Sequence, residues 1–381
     1  MFFQRTTETT FIQVLEMPIQ REHEIADLLV EYEHQLESHV IPDRSLVQRA
    51  EVLMRQRLAT IPLDTELMFL AHWILINSGQ FDEAARVLRQ YLAEPRELDE
   101  QAWARWHLVD ELSLGCHHLE VVQEQQAYLR WATQVYPLSE CLYVLGDGTQ
   151  ARSWFWVGKG WEWLSMLDDL LQRAQPTSRN RLDRFYCLRT AAYVGKDLGE
   201  TKLMRNYAHA IRCLTEEDPS WADARWVRVE RAIIDIDAAH LDGQTAQVVA
   251  LANAITNELE EWERQLTGAP LAEVRQFSIR CHNVGAALYY RSGYHDLAIP
   301  LFRKAIAHCI LAHETYLWLA ACLWATTKQR AEVLPLLTQA AHRYLDGGEP
   351  WDNFRTLPEF DDVRDDPQFM QAARVKTQAV L

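Results

Sequence analysis

The chain has 381 residues, 48% of them apolar, and a formal net charge of −16 at pH 7. This length is too great for one compact helical bundle, so we expect either two domains or one elongated array. The strong negative charge argues against a molecule-wide affinity for nucleic acid or for anionic membranes.

Two amphipathic helices are predicted near the N-terminus. Residues 1–19 show no clear periodicity and predict a loose arm or a short strand. Residues 21–37 place apolar side chains on one helical stripe, and Asp43 has the residue type and position of an N-cap for a second helix over 44–59. We therefore expect residues 1–60 to form an arm and a helical cap.

From residue 61 onward, turn signals recur at intervals of about 35 to 50 residues, which is typical of helix-pair solenoids. The turn signals are Gly79, Gly115, Gly158, Gly199, Gly243, Gly293 and Lys328. They predict helix pairs near 64–94, 100–136, 149–175, 180–216, 221–266, 270–309 and 314–346, followed by a capping helix near 367–378.

The turn at Gly79 shows the pattern most clearly. A glycine there can adopt the left-handed conformation that ends a helix. The next helix then places four residues on its buried face: Phe81, Ala84, Leu88 and Tyr91. Late in the chain, residues 298–305 align with residues 333–340, with Pro300 and Pro335 in the same position, and we expect both prolines in a first helical turn.

Several of these segments resemble tetratricopeptide repeats. The resemblance is carried by residues 79–84 with the run to Pro95, and by residues 283–285 followed by Gly293. Gly199 to Ala210 with Asp218-Pro219, and residues 357–369, are similar to variants and C-terminal ends of that family.

The resemblance implies an all-α fold, a right-handed α-α superhelix of about seven helix pairs. Its parts are the cap at 1–60, the solenoid at 61–346 and a C-terminal cap at 347–381. First helices would line a concave groove. Counted back from each turn as in the family, the groove residues are Trp73, Arg105, Trp106, Arg152, Trp156, Tyr186, Arg189, Tyr193, Lys196, Arg280, Asn283, Tyr290 and Arg291.

This projected groove is basic and aromatic although the chain is acidic. Arginine side chains bind carboxylates through two parallel hydrogen bonds, and aromatic rings cover the apolar side chains between them. The set predicts capture of an acidic or C-terminal peptide segment. Alternatively, the arginines are ordinary solvated residues that pair with the many Asp and Glu side chains. Glu230, Asp235 and Asp237 would interrupt the basic stripe and could mark one end of the site.

No specific catalytic motif is present, and we predict no cofactor and no bound metal. Residues 146–148 and 158–160 are rich in glycine but lack the lysine-hydroxyl pair of a phosphate-binding loop. The nearest approach to a zinc site is Cys281, His282, His308, Cys309 and His313. A buried thiol beside partly exposed imidazoles explains the same residues. The tryptophans at 154, 156, 161 and 163 are either core or a ligand platform.

The sequence therefore predicts a non-catalytic scaffold for a protein or peptide with an acidic segment. One alternative is a ligand-responsive receptor for a short signalling peptide, and a second is a cryptic zinc- or carbohydrate-dependent enzyme. The seven scattered cysteines and the absence of a signal-peptide pattern favour a cytoplasmic protein. We expect neither nucleic acid nor membrane as a partner, and the oligomeric state is open. Exchanging Arg189 and Arg280 together for Glu should weaken partner binding and leave thermal stability nearly unchanged, because we expect both charges to be exposed in the groove.

Overall fold

A computed structural model of the chain describes residues 23–37, 43, 45–177, 180–216, 225–291, 293–308, 313–343, 354 and 356–373. Within these ranges the regular secondary structure is entirely helical, as the sequence predicts. The chain divides into two compact units. The first comprises Met1–Leu28 and Val47–Trp221, and the second comprises Leu29–Leu46 and Ala222–Leu381.

Helix α1 (His23–Glu37) crosses this division, and its apolar stripe is buried as predicted. The Ser45 amide donates to the Asp43 carboxylate at 2.9 Å, which is the contact that a capping residue makes at the start of a helix. Helix α2 (Ser45–Thr60) begins in the second unit and continues into the first from Val47. The remaining helices of the first unit are α3 (Thr65–Asn77), α4 (Phe81–Leu92), α5 (Leu98–Leu114), α6 (His118–Val135), α7 (Gly148–Trp156), α8 (Gly160–Arg173), α9 (Arg181–Asp197) and α10 (Thr201–Glu216).

Short 3-10 segments at Leu138–Glu140 and Leu142–Leu145 join α6 to α7. The helices of the second unit are α11 (Arg225–Leu241), α12 (Thr245–Arg264), α13 (Leu271–Tyr289), α14 (His295–Ala307), α15 (His313–Thr327), α16 (Arg330–Arg343) and α17 (Pro367–Ala373), with a 3-10 turn at Pro358–Phe360. These bounds agree within a few residues with the predicted pairs. Residues 374–378 of the predicted capping helix lie outside the described ranges.

One helix-ending motif recurs at five turns. After α3, Gly79 has a φ of 68°, its amide donates to the Ile76 carbonyl, and the Gln80 amide donates to the Leu75 carbonyl at 2.8 Å. This pair of bonds is a Schellman closure, which satisfies carbonyls that the helix end leaves open. The same two bonds and a left-handed residue close α5, α7, α9 and α11, at Cys116, Gly158, Gly199 and Gly243.

The turn after α5 differs from the prediction by one residue. Gly115 has a φ of −74°, and the left-handed position belongs to Cys116, whose φ is 61°. A non-glycine residue in that conformation carries a steric cost because its Cβ approaches the backbone. The prediction placed the left-handed residue at Gly115 because glycine favours that conformation. The turn contains the glycine one position before the residue that adopts it.

Consecutive helices pack in a regular order. Each first helix packs on the second helix of its own pair, and within each unit that second helix packs on the following first helix. First helices also contact each other directly, as in α5 with α7, α7 with α9, α11 with α13, and α13 with α15. Packing of this kind buries apolar stripes that one helix pair could not bury alone, and it is compatible with a helical repeat.

Close packing explains two local features of the pairs. Ala84, Leu88 and Tyr91 are buried on α4 as predicted, whereas Phe81 is half-buried. Gly285 lies inside α13, where an added Cβ would come 2.8 Å from Cε1 of Phe302 on α14. The glycine is therefore required by the approach of the two helices rather than by backbone conformation.

The predicted position of two prolines is wrong. Pro300 and Pro335 each lie inside their helix, in the second turn of α14 and α16, and not in the first. Each removes one intrahelical hydrogen bond at the same place. Among the helices in the described ranges, none combines the length and the apolar content that crossing a membrane requires.

Candidate functional site

The predicted groove residues of α3 and α5 are mostly core residues. Trp73 and Trp106 are buried, and the Trp106 ring meets His107 edge to face at 4.8 Å. Arg105 is half-buried, with its guanidinium carbon 5.0 Å from the centre of the Trp131 ring. Taking Cys116 as the turn residue in place of Gly115 shifts the counted positions on α5 to Trp106 and His107.

Helix α7 presents a basic and an aromatic side chain to solvent. The Arg152 side chain is 68% exposed, and its Nε lies 4.0 Å from the Asp197 carboxylate on α9. Trp156, one turn further along α7, is 67% exposed. Its ring stacks on His118 with 6.3 Å between centroids. Trp154 of the same helix is fully buried, so the aromatic run contains one core residue and one surface residue.

Helix α9 continues this surface with an arginine between two tyrosines. The Arg189 guanidinium carbon lies 5.9 Å from the Tyr186 ring centre and 5.7 Å from that of Tyr193. All three side chains are half-buried, as is Lys196 one turn later. Stacking against aromatic faces holds a guanidinium in place.

The predicted groove residues of the second unit have a different arrangement. Arg280 is only 3% exposed and forms an ion pair with the buried Glu230 of α11. Arg291 is buried in an ion pair with Asp237, and the Asn283 amide donates to Glu230 at 3.3 Å. The expectation that Arg280 faces solvent is therefore wrong. These charges neutralise the acidic residues of the neighbouring first helix. Tyr290, in contrast, is 68% exposed, and its ring lies 5.2 Å from Trp318.

Charge pairs between successive first helices follow one positional rule in both units. Arg152 and Asp237 occupy the same position relative to the left-handed residue that closes their helix, and so do their partners Asp197 and Arg291. The pair in the first unit joins a cation on α7 to an anion on α9, and the pair in the second unit has the signs reversed. The position in the helix therefore determines which two residues meet, and the residue types determine which of the two carries the positive charge.

The structure also brings together a group that the sequence analysis did not identify. His72 of α3 and His107 and Glu111 of α5 each place a potential ligand atom within 4.8 Å of the other two. All three side chains are buried, and His72 Nε2 lies 2.7 Å from Glu111 Oε1. His107 also packs against Trp103, with 3.9 Å between ring centroids. Among the described residues, this is the group with the composition of a metal site.

Burial sets the protonation of this cluster. It lowers the pKa of His72 to about 3, so that the imidazole is neutral, and it raises the pKa of Glu111 well above the ordinary carboxyl range. Burial, together with the charges of Asp147 and Glu111, also raises the pKa of Asp110. Each shift has the same main cause, which is the cost of a charge that lacks solvent.

Two sequence signals could have located the cluster. The spacing of His107 and Glu111 puts both on one face of a predicted helix, one turn apart. His72 interrupts the longest apolar stretch of the chain, residues 67–76, and a polar residue in such a stretch must find a buried partner. The partner could not be identified because it lies on another helix pair.

The zinc group considered from the sequence has other contacts. His282 lies 2.7 Å from the Thr315 hydroxyl, and burial and then the charge of His313 lower its pKa to about 4. His308 lies 2.8 Å from a Glu263 carboxylate oxygen, and burial raises the pKa of Cys281. Cys309 lies outside the described residues. Asp147, in the glycine-rich run 146–148, caps α7 by accepting from the Thr149 amide at 2.8 Å.

Comparison with models of known protein families gave no match, and a search of characterised proteins found no significantly similar sequence.

Proposed function

We propose that the chain is a non-catalytic scaffold that binds a protein or peptide partner, built as a tetratricopeptide-like, right-handed superhelix. The recurrent Schellman closures and the contacts between successive first helices support such a repeat. In this arrangement first helices face a common surface, which is where a repeat protein of this class receives an extended partner. The partner we propose carries an acidic segment.

The observation that carries the proposal is the surface formed by Arg152, Trp156 and Arg189 on the adjacent helices α7 and α9. Two of these side chains are largely exposed, and the third is held between tyrosine rings. Exposed tryptophan and oriented arginine are the residue types that dominate the free energy of protein interfaces. The chain has a net charge of −16, so an acidic partner is attracted to this local basic surface and repelled by the rest of the molecule.

The peptide-binding surface therefore belongs to the first unit. Arg280 and Arg291 of the second unit are buried in ion pairs and present no exposed charge to a partner. Tyr290 remains an exposed aromatic residue there, and we assign it the weaker role of an apolar contact. The proposed binding residues of the first unit are Arg105, Arg152, Trp156, Tyr186, Arg189, Tyr193 and Lys196.

The test uses fluorescence anisotropy with labelled acidic peptides, each made with a free and with an amidated C-terminus, and with basic peptides of matched length. We expect acidic peptides to bind with an affinity that falls as salt is added. Trp156→Ala and Arg152→Glu should each weaken binding by about tenfold, equivalent to about 1.4 kcal/mol.

The matched controls are Trp161→Ala and Arg86→Glu. Trp161 is 56% exposed on α8, and Arg86 is exposed on α4. Each control substitution therefore removes the same residue type as its test variant, but from the second helix of a pair. Equal loss of affinity in controls and test variants would refute the assignment of the surface, as would the same affinity for basic peptides. A large rise in melting temperature on binding a short peptide would favour the ligand-responsive receptor.

A further inference from the structure

We propose that His72, His107 and Glu111 bind one divalent transition-metal ion, most suitably zinc, between α3 and α5 of the first unit. This inference is independent of the peptide-binding surface. It concerns the interior of the helix stack, and it assigns a metal to a chain whose sequence predicts none.

The ligand geometry comes from two different helix pairs. His107 and Glu111 stand one turn apart on α5, and His72 reaches them from α3. The ligand atoms lie within 4.8 Å of one another. Zinc bonds of about 2.0 to 2.2 Å in a tetrahedral arrangement place ligand atoms about 3.3 Å apart. Small side-chain rotations would therefore bring the set to coordination distance.

A buried carboxylate oxygen without a partner supports an ion rather than a simple hydrogen bond. The contact between His72 and Glu111 uses one nitrogen and one oxygen. The other oxygen of Glu111, Oε2, is buried with no hydrogen-bond partner. Such atoms are uncommon because each loses its contact with water without compensation. A cation bound by the Glu111 carboxylate would place a positive charge next to both carboxylate oxygens.

The chemistry of the ligands selects the class of ion. Two imidazoles and one carboxylate form a set that suits zinc and other first-row transition metals better than magnesium or calcium, which prefer oxygen ligands. Three protein ligands leave one coordination position for water. The burial of all three side chains points to a structural ion that links consecutive first helices.

The experiment measures metal content and metal spectroscopy on the full chain, prepared without a polyhistidine tag. After growth with added zinc and extensive desalting, we expect about one equivalent of zinc per chain by mass spectrometry of the elements. Removal of zinc and addition of Co²⁺ should produce the visible absorption of tetrahedral cobalt. Zinc should also raise the melting temperature of the metal-free chain, because it binds only the folded state.

Glu111→Gln and His107→Gln are the test variants, since both keep the size of the side chain. Each should lower metal affinity by about 10- to 100-fold or more. His209→Ala is the matched control, because it removes an exposed histidine on α10 and should leave metal content unchanged. Far-ultraviolet circular dichroism establishes that each variant is folded, and the cobalt spectrum of Glu111→Gln is compared only then.

Two results would overturn the proposal. One is a wild-type chain with less than about a tenth of an equivalent of any transition metal and no cobalt spectrum. The cluster would then contain only a carboxyl–imidazole hydrogen bond. The other is equal metal binding by the wild type and by both folded Gln variants, which would place the ion elsewhere. If Glu111→Gln unfolds, His107→Gln decides by the same criteria. If both unfold, zinc content and the cobalt spectrum of the wild type decide.

Discussion

Substitution of Arg280 by methionine tests whether its charge belongs to the core or to a binding surface. Arg280 is 3% exposed and pairs with Glu230, which is fully buried on the neighbouring helix. Methionine keeps much of the aliphatic volume but removes the charge. Glu230 would then be left without its ion-pair partner, and breaking a buried pair in this way costs about 3 to 5 kcal/mol.

A double-mutant cycle measures the pair directly. Glu230→Met alone should cost a similar amount, because it leaves Arg280 buried without its carboxylate. The double variant removes both charges and should recover most of the loss. The resulting coupling free energy is expected to be of the order of several kcal/mol. Urea unfolding followed by circular dichroism gives the free energy of unfolding for all four proteins.

Arg303→Met is the matched control on α14. Its side chain is 57% exposed and lies 3.5 Å from Glu332, so the expected loss is below about 1 kcal/mol. A loss of the same small size for Arg280→Met would show that the buried pair contributes little.

Three further predictions concern a close contact, a turn and an ion pair. Gly285→Ala should lower the free energy of unfolding by about 1 to 3 kcal/mol in urea, because the new Cβ would meet Phe302 at 2.8 Å. Cys116→Gly should raise it by about 0.5 kcal/mol, since glycine relieves the left-handed strain at φ 61°. A hydrogen bond from Arg55 holds the pKa of Glu83 below its ordinary 4.5. The stabilisation by this pair is therefore complete above pH 4.5 and is lost as the pH falls through the lower folded-state pKa. Glu83→Gln should abolish this part of the pH dependence of stability, which urea midpoints measured over a series of pH values would show.

Each of these predictions has a control or an opposite outcome. Gly148→Ala adds a Cβ that meets only the Thr190 hydroxyl at 4.0 Å, so it should not destabilise the chain as Gly285→Ala does. Gly199→Ala should cost about 1 kcal/mol, because it places a Cβ at a φ of 76°. Stabilisation by Gly285→Ala, or destabilisation by Cys116→Gly, would contradict the helix contact or the turn geometry. An unchanged pH dependence in Glu83→Gln would assign the acid sensitivity to other groups.

Local rules placed the helices and most of the turns. The apolar stripe of α4 and the glycines at 79, 158, 199 and 243 were legible because helix periodicity and left-handed closure depend on residues close in sequence. The exceptions are also local. Cys116 took the left-handed position that Gly115 was expected to occupy, and this shifted the positions counted along α5 by one residue.

The partners of individual side chains were decided by tertiary packing. Arg280 and Arg152 are both arginines on the first helix of a pair, yet one is buried against Glu230 and the other is exposed. Both arginines have an acidic partner on an adjacent first helix, Glu230 or Asp197, so the difference lies in how deeply the packing buries each pair. The same holds for His72, whose contact with Glu111 joins two helix pairs.

The sequence by itself therefore determined an all-helical chain of paired helices, their approximate bounds, and the residue types along each first helix. Only the tertiary structure decided which arginines are consumed by buried carboxylates, that the basic and aromatic surface of the first unit lies on α7 and α9, and that two histidines and a glutamate meet inside the stack. The physical reason is the range of the interactions. Helix formation and capping act over a few residues, whereas burial and charge pairing act between segments that are distant in the chain.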